Sequence, residues 1–279
     1  MKSTYLLFLF CVILLGFIPP NGDSKLFNIP ERTLRPYEVV NDWPNGTKLQ
    51  MEDFEISDFV TYAQYKIYLK EIKTDSSSIF YQSQLPDTTM CRKDIYAKYL
   101  SSNEYDNYPV LGISWNAAMN YCRWMTLKEN KDSIVYLYCL PTCSEWVDSY
   151  DYLKSAGIKN DFNKNYSDWL LNSKNDSSGW NSILMFHESW IKDSTFIEDY
   201  IHIELKKKLA IGDSYLFKQD KLMNYKNYGY SSNHGYRHIG FRYIRSKIKD
   251  IYMRADEKSV VHKHDYEILK YWGLDKKPK

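Results

Sequence analysis

The side chains able to do chemistry in this chain are few, and their spacing narrows what they can do. There are 5 cysteines. Cys11 lies in an apolar run at the N-terminus, and the rest are Cys91, Cys122, Cys139 and Cys143. Two thiolates close together can grip a soft ion such as Cu(I), or they can oxidise to a disulfide. Cys139 and Cys143 enclose a gap that fits ligation, but no histidine stands beside them and the pair surrounds an expected helix start. Core thiols, or one or two disulfides, are the simpler reading. Between Ser144 and Lys279 there is no thiol at all. The imidazoles are His187, His202, His234, His238, His262 and His264. His234 and His238 stand four apart, which on a helix would suit a metal. Gly229, Ser231, Ser232 and Gly235 make that stretch a loop instead, and no carboxylate lies nearby in sequence. His187-Glu188 is an isolated dyad, and nothing ties Asp193 to Glu198. No nucleophile elbow, phosphate loop or H-E-x-x-H motif occurs. These residues predict no metal, no cofactor and no catalytic assembly. Tyr215, Tyr225, Tyr228, Tyr230 and Tyr236 crowd together with Asn224, Asn227 and Asn233. Such a mixture makes an adaptable contact surface, because rigid amphipathic rings alternate with hydrogen-bonding amides. The same tyrosines could equally fill a loop-rich core.

The elements that must carry these residues announce themselves by their caps. Thr61-Tyr62-Ala63-Gln64 and Thr142-Cys143-Ser144-Glu145 are capping-box patterns, each opening an expected helix. Ser114 can cap a third helix, with Trp115, Ala118, Cys122 and Met125 on one stripe. Strands are expected at Val110–Ile113, at Ile134–Leu140 and, by alternation, at Ile239–Ile244. Residues 25–50 hold Pro30, Pro36 and Pro44 and read as an extended lead-in. Residues 155–182 are rich in Asn, Ser, Lys and Asp, which predicts surface loops around the short apolar piece Trp169-Leu170-Leu171. Residues 247–279 read as a solvated basic tail with a helix near Asp265–Tyr271. The sum is a loop-rich α+β domain over residues 25–246.

With 279 residues the chain can bury a substantial core, and an aromatic content of 16% excludes intrinsic disorder. A net charge of +2 supplies no field for nucleic acid, so none is expected as a partner. Lys2 precedes an apolar run from Tyr5 to Ile18, ended by Pro19-Pro20. The run is shorter than the roughly 20 residues of a spanning helix. Residues 1–22 are therefore expected to be a signal peptide, cleaved between Gly16 and Ser24. Cys11 sits inside the run, where lipidation is not expected. Export to a secreted, periplasmic or outer-envelope location follows.

Four blocks then carry a resemblance: Val60-Thr61-Tyr62-Ala63-Gln64-Tyr65; Tyr108-Pro109-Val110 through Tyr121-Cys122-Arg123-Trp124; Leu140-Pro141-Thr142-Cys143-Ser144-Glu145-Trp146; and Gly240-Phe241-Arg242. In order and spacing they resemble the formylglycine-generating enzyme, or sulfatase-modifying factor, family. The resemblance implies a variant of the C-type-lectin-like fold. It also implies an oxidase that converts a sulfatase cysteine with copper and oxygen, Cu(I) being held by two cysteines near the C-terminus. The corresponding positions here are Phe217 and Leu222, so the oxidase is not expected. Cys139 and Cys143 replace the family's Arg and Glu around Leu-Pro-Thr. Met185–Trp190 lacks the Gly and Asn of the family's calcium segment. In family enzymes the stretch holding Tyr215, Tyr228, Tyr230, Asn233, His234 and Tyr236 forms the substrate groove, which makes those six the candidate binding residues. Relatives without copper cysteines include lipoproteins of gliding motility and type IX secretion. The expectation is a non-catalytic envelope protein that binds or scaffolds a protein partner. A divergent oxidase and a carbohydrate-binding module are the alternatives.

Overall fold

A computed structural model describes residues 24–34, 49–89, 93–131, 133–160, 162, 166–173, 207–212, 229–248 and 263–274. The fold is mixed α+β, as the sequence predicts. One four-stranded sheet contains β1 (Leu26–Ile29), β4 (Phe54–Ser57), β10 (Ile244–Lys247) and β5 (Tyr136–Cys139), antiparallel in that spatial order, and β2 (Arg32–Leu34) and β3 (Leu49–Met51) pair antiparallel in a separate two-stranded sheet. Ile29 pairs with Phe54, and Ile244 lies between Ile56 and Cys139. Because side chains alternate along a strand, Phe27 and Ile29 face the core while Asn28 faces solvent. The outer edge of β5 is closed by side chains of α4 (Trp115–Glu129) and its cap. Asn130 Oδ1 accepts the N–H groups of Val135 (2.7 Å) and Tyr136 (3.1 Å), and Thr126 Oγ1 accepts that of Tyr138 (3.0 Å).

The three expected helix starts form as read. Thr61 caps α1 (Tyr62–Asp75) and Thr142 caps α5 (Cys143–Ser155), both as complete capping boxes, and Ser114 caps α4. Two further helices, α2 (Ser78–Ser83) and α3 (Lys93–Ser101), follow α1. Tyr65 and Tyr68 of α1 pack on Tyr121 of α4 at ring-centroid distances of 5.7 and 5.5 Å. Their hydroxyls reach Gln84, Tyr65 to its carbonyl at 2.8 Å and Tyr68 to its Oε1 at 3.0 Å. Buried tyrosines need such partners, and a buried glutamine supplies both.

Four expectations change. Residues 110–113 are not a strand: only single bridges, Thr61–Pro109 and Ser114–Gly235, flank them. Gly112 turns the chain with φ +74°, which ends any ladder. The expected alternating strand 239–244 divides between two sheets, as β9 (Ile239–Gly240) and β10, with Phe241 to Tyr243 crossing the core between them. The Trp169 piece is no loop fragment. It forms β6 (Ser167–Ser173), between β7 (Lys207–Ile211) and β9 in a sheet that β8 (Tyr230–Ser231) completes. Trp169, Leu170 and Leu171 are all buried, so both faces of β6 are covered and the alternation that marks a half-exposed strand is lost. Finally, the C-terminal region is not simply solvated. In α6 (Lys263–Tyr271), Ile268 and Leu269 join the core, as do Ile248 and Trp272. The hydrophobic stripe of α6 outweighs the surrounding lysines. Residues 35–48 and 174–182 lie outside the described residues.

Among the described residues, the pair Arg242–Asp168 is fully enclosed. Arg242 Nε meets Asp168 Oδ2 at 3.0 Å, with neither side chain exposed. Trp146 Nε1 donates to the same oxygen at 2.8 Å, and the guanidinium lies 3.7 Å from the Phe162 ring centre. This arrangement joins α5, β6 and the chain leading into β10.

Candidate functional site

Asp87 follows α2 in the run Leu85-Pro86-Asp87-Thr88-Thr89 and makes a local Asx-type turn. Its Oδ1 accepts the Thr89 N–H at 2.8 Å and the Thr89 hydroxyl at 2.6 Å. Its Oδ2 faces a distant segment, 2.9 Å from His234 Nδ1 and 3.2 Å from the Gly235 N–H. Burial alone would push this carboxyl up. The hydrogen bonds from Thr89, His234 and Gly235 outweigh it and hold Asp87 below the usual carboxylate range. An ionised carboxylate only accepts, so His234 Nδ1 carries the proton of that bond.

The segment carrying His234 crosses residues 110–116 at close quarters. The Asp87 N–H donates to the Gly112 carbonyl at 2.8 Å, the Gly112 N–H to Tyr236 at 3.2 Å and the Asn116 N–H to Ser232 at 3.1 Å. The Asn116 side-chain amide donates to Asn233 Oδ1 at 2.5 Å. A Cβ on Gly235 would lie 1.7 Å from the Gly112 carbonyl oxygen, and one on Gly112 would lie 1.9 Å from the Tyr96 hydroxyl. Only glycine fits at either place. Beneath the crossing, Tyr230 and Tyr236 meet edge to face at 4.8 Å and pack on buried Trp169 at 5.8 and 5.9 Å. The Tyr236 hydroxyl accepts the Ser231 N–H at 3.2 Å. His238 is buried beside Tyr230, where desolvation, helped by Arg237, holds its imidazole down at about 4.

Of the six expected binding residues, four come together. Asn233 and His234 are exposed, while Tyr230 and Tyr236 are half-buried supports. Tyr215 and Tyr228 lie outside the described residues, as do Phe217, Leu222, Cys91 and the Met185–Trp190 stretch. The paired imidazoles do not act jointly: His234 turns to Asp87 and His238 to Tyr230. The residue that the sequence hid is Asp87. Its turn signature is legible, but its partners lie 147 and 148 positions away. The exposed face therefore offers an imidazole and a carboxamide on an aromatic base.

Copper held by thiolates, which the resemblance implies for the family's enzymes, does not fit the cysteines among the described residues. Cys122 lies on α4, Cys139 on β5 and Cys143 at the start of α5, and all three are buried thiols. Desolvation pushes Cys122 and Cys139 far above the ordinary thiol range, whereas Cu(I) needs a thiolate. Among the described residues, no three of His, Cys, Asp and Glu converge as a metal site. No helix there is long and apolar enough to cross a membrane.

Residues 33–200 match the family described as the sulfatase-modifying factor enzyme 1-like domain. No curated protein sequence matches the chain significantly. Among solved structures, the crystal structure of CarF is similar, with a TM-score of 0.51 and 14% sequence identity. The alignment covers 81% of this chain and 99% of that one, a likeness of fold.

Proposed function

Since the chain belongs to the sulfatase-modifying factor enzyme 1-like family, we propose that it is an exported, non-catalytic member that binds or scaffolds a protein in the cell envelope. The fold we assign to it is that family's loop-rich, C-type-lectin-like variant. One observation carries the reading: no thiol follows Cys143, and Cys122, Cys139 and Cys143 are built into the core. Two thiolates reachable by the metal are what the family's copper chemistry needs, and these three sulfurs are buried, with desolvation pushing the Cys122 and Cys139 thiols up. The exposed pair Asn233 and His234, backed by Tyr230 and Tyr236, supports a contact surface in its stead. The apolar run Tyr5–Ile18 supports export, and the lack of any thiol after Cys143 is a feature shared with the family's copper-free envelope relatives, such as gliding and type IX secretion components.

The test has two arms. Titration of the reduced protein with Cu(I) against a competing chelator is expected to show no tight site, and Ellman titration of the native protein no fast-reacting thiol pair at Cys139 and Cys143. Stoichiometric Cu(I) bound through two cysteines would restore the oxidase and overturn the reading. Crosslinking in envelope preparations is expected to capture a protein partner, and its capture is expected to weaken when Asn233 and His234 are replaced.

A further inference from the structure

We infer that Asp87 is the positioning residue for a recognition atom: it locks His234 as the Nδ1–H tautomer, so that Nε2 is presented to solvent as a hydrogen-bond acceptor for a neutral donor group, hydroxyl or amide N–H, on a polypeptide partner. The geometry supplies each step. Both Asp87 oxygens are engaged, one by Thr89 and the other by His234 and Gly235, so the carboxylate cannot rotate away from the ring. Its own N–H is fastened to Gly112, which places it against the crossing. A neutral imidazole whose Nδ1 donates keeps its lone pair on Nε2. The His234 side chain is 53% exposed, and Nε2 has no hydrogen-bond partner among the described residues. Asn233 beside it is fixed through Asn116, so its amide nitrogen adds a second oriented polar group. A carboxylate behind an imidazole that makes no other use of its outer nitrogen is the arrangement proteins employ to orient and strengthen that nitrogen. The partner's identity as a polypeptide rests on the binding reading above, whereas the tautomer does not.

The deciding measurement is a long-range nitrogen–proton NMR spectrum of the ¹⁵N-labelled full chain at neutral pH, with His234 assigned by the loss of its signals in H234Q. The expected result is a protonated Nδ1 and an unprotonated Nε2. A protonated Nε2 in the wild-type protein overturns the inference without recourse to any variant. In D87A the ring is expected to change to the Nε2–H form, because the Nδ1–H loses its acceptor; an unchanged tautomer also overturns it. The second arm uses the protein captured by crosslinking as the probe. H234Q keeps an acceptor near the Nε2 position and is expected to bind within about twofold of wild type, and H234A to lose about tenfold, the worth of one hydrogen bond. Full binding by H234A removes the recognition role. Failure to capture any protein removes that role together with the reading it rests on, and leaves the tautomer to be judged by its own spectrum.

Discussion

A buried charge is stable only in company, and Arg242 and Asp168 illustrate the cost of separating them. Neither side chain reaches water. Arg242→Met strands the Asp168 anion and is expected to destabilise the protein by about 3–5 kcal/mol. Adding Asp168→Asn should recover part of the loss, since a carboxamide carries no charge to strand. Urea melts of the single and double variants check the order; equal stabilities would refute it. Titration exposes a second contest. His238 is held at about 4, so as pH falls from its unfolded value near 6.5 only the unfolded chain takes up that proton and the fold loses stability. Asp148 has the opposite sign. Desolvation pushes it up to about 6 against the pull of Arg32, so the folded chain protonates first and gains stability as pH falls from about 6 to its ordinary 3.8. The two act in opposite directions across that window. His238→Gln removes only the destabilising partner, so stability relative to wild type should rise between pH 6.5 and 4.5 in denaturant melts. A constant difference across that range would show that His238 is not the group responsible.

At the scale of single elements, the chain's caps are the most legible feature. Thr-x-x-Gln and Thr-x-x-Glu each satisfy two backbone donors within four residues, so nothing distant is needed to read them. Thr142→Ala is expected to cost about 1–2 kcal/mol. It should exceed Thr61→Ala, because the buried Glu145 carboxylate also loses the Thr142 hydroxyl; the ranking comes from paired thermal melts. Strands were harder to read where burial erased their signature. Trp169-Leu170-Leu171 is covered on both sides, so its residues do not alternate, and the polar residues around it imitate a loop. Val110–Ile113 failed in the opposite direction: the residues suit a strand, but Gly112 bends the chain away from any ladder.

For the whole molecule, the order of the four sequence blocks conveyed the family, whereas their meeting in space was beyond reach. Asp87 looks like an ordinary turn residue until the segment holding His234 folds over it. The C-terminal region misled for a related reason: its charge suggests a tail, yet Leu269 is fully buried while Tyr271 is 51% exposed. Leu269→Ala should cost about 2–5 kcal/mol as a cavity in the core. Tyr271→Ala should stay within about 0.5 kcal/mol. Comparable losses in calorimetry would mean that α6 is not docked by that face.

The crossing of Gly112 and Gly235 has a consequence in time. A polypeptide is made from its N-terminus onward, and the second segment of this crossing comes late in the sequence. A chain synthesised only as far as Gly112 lacks half of the contact, so the surface around Asn233 and His234 is completed only once the segment holding Gly235 has been made.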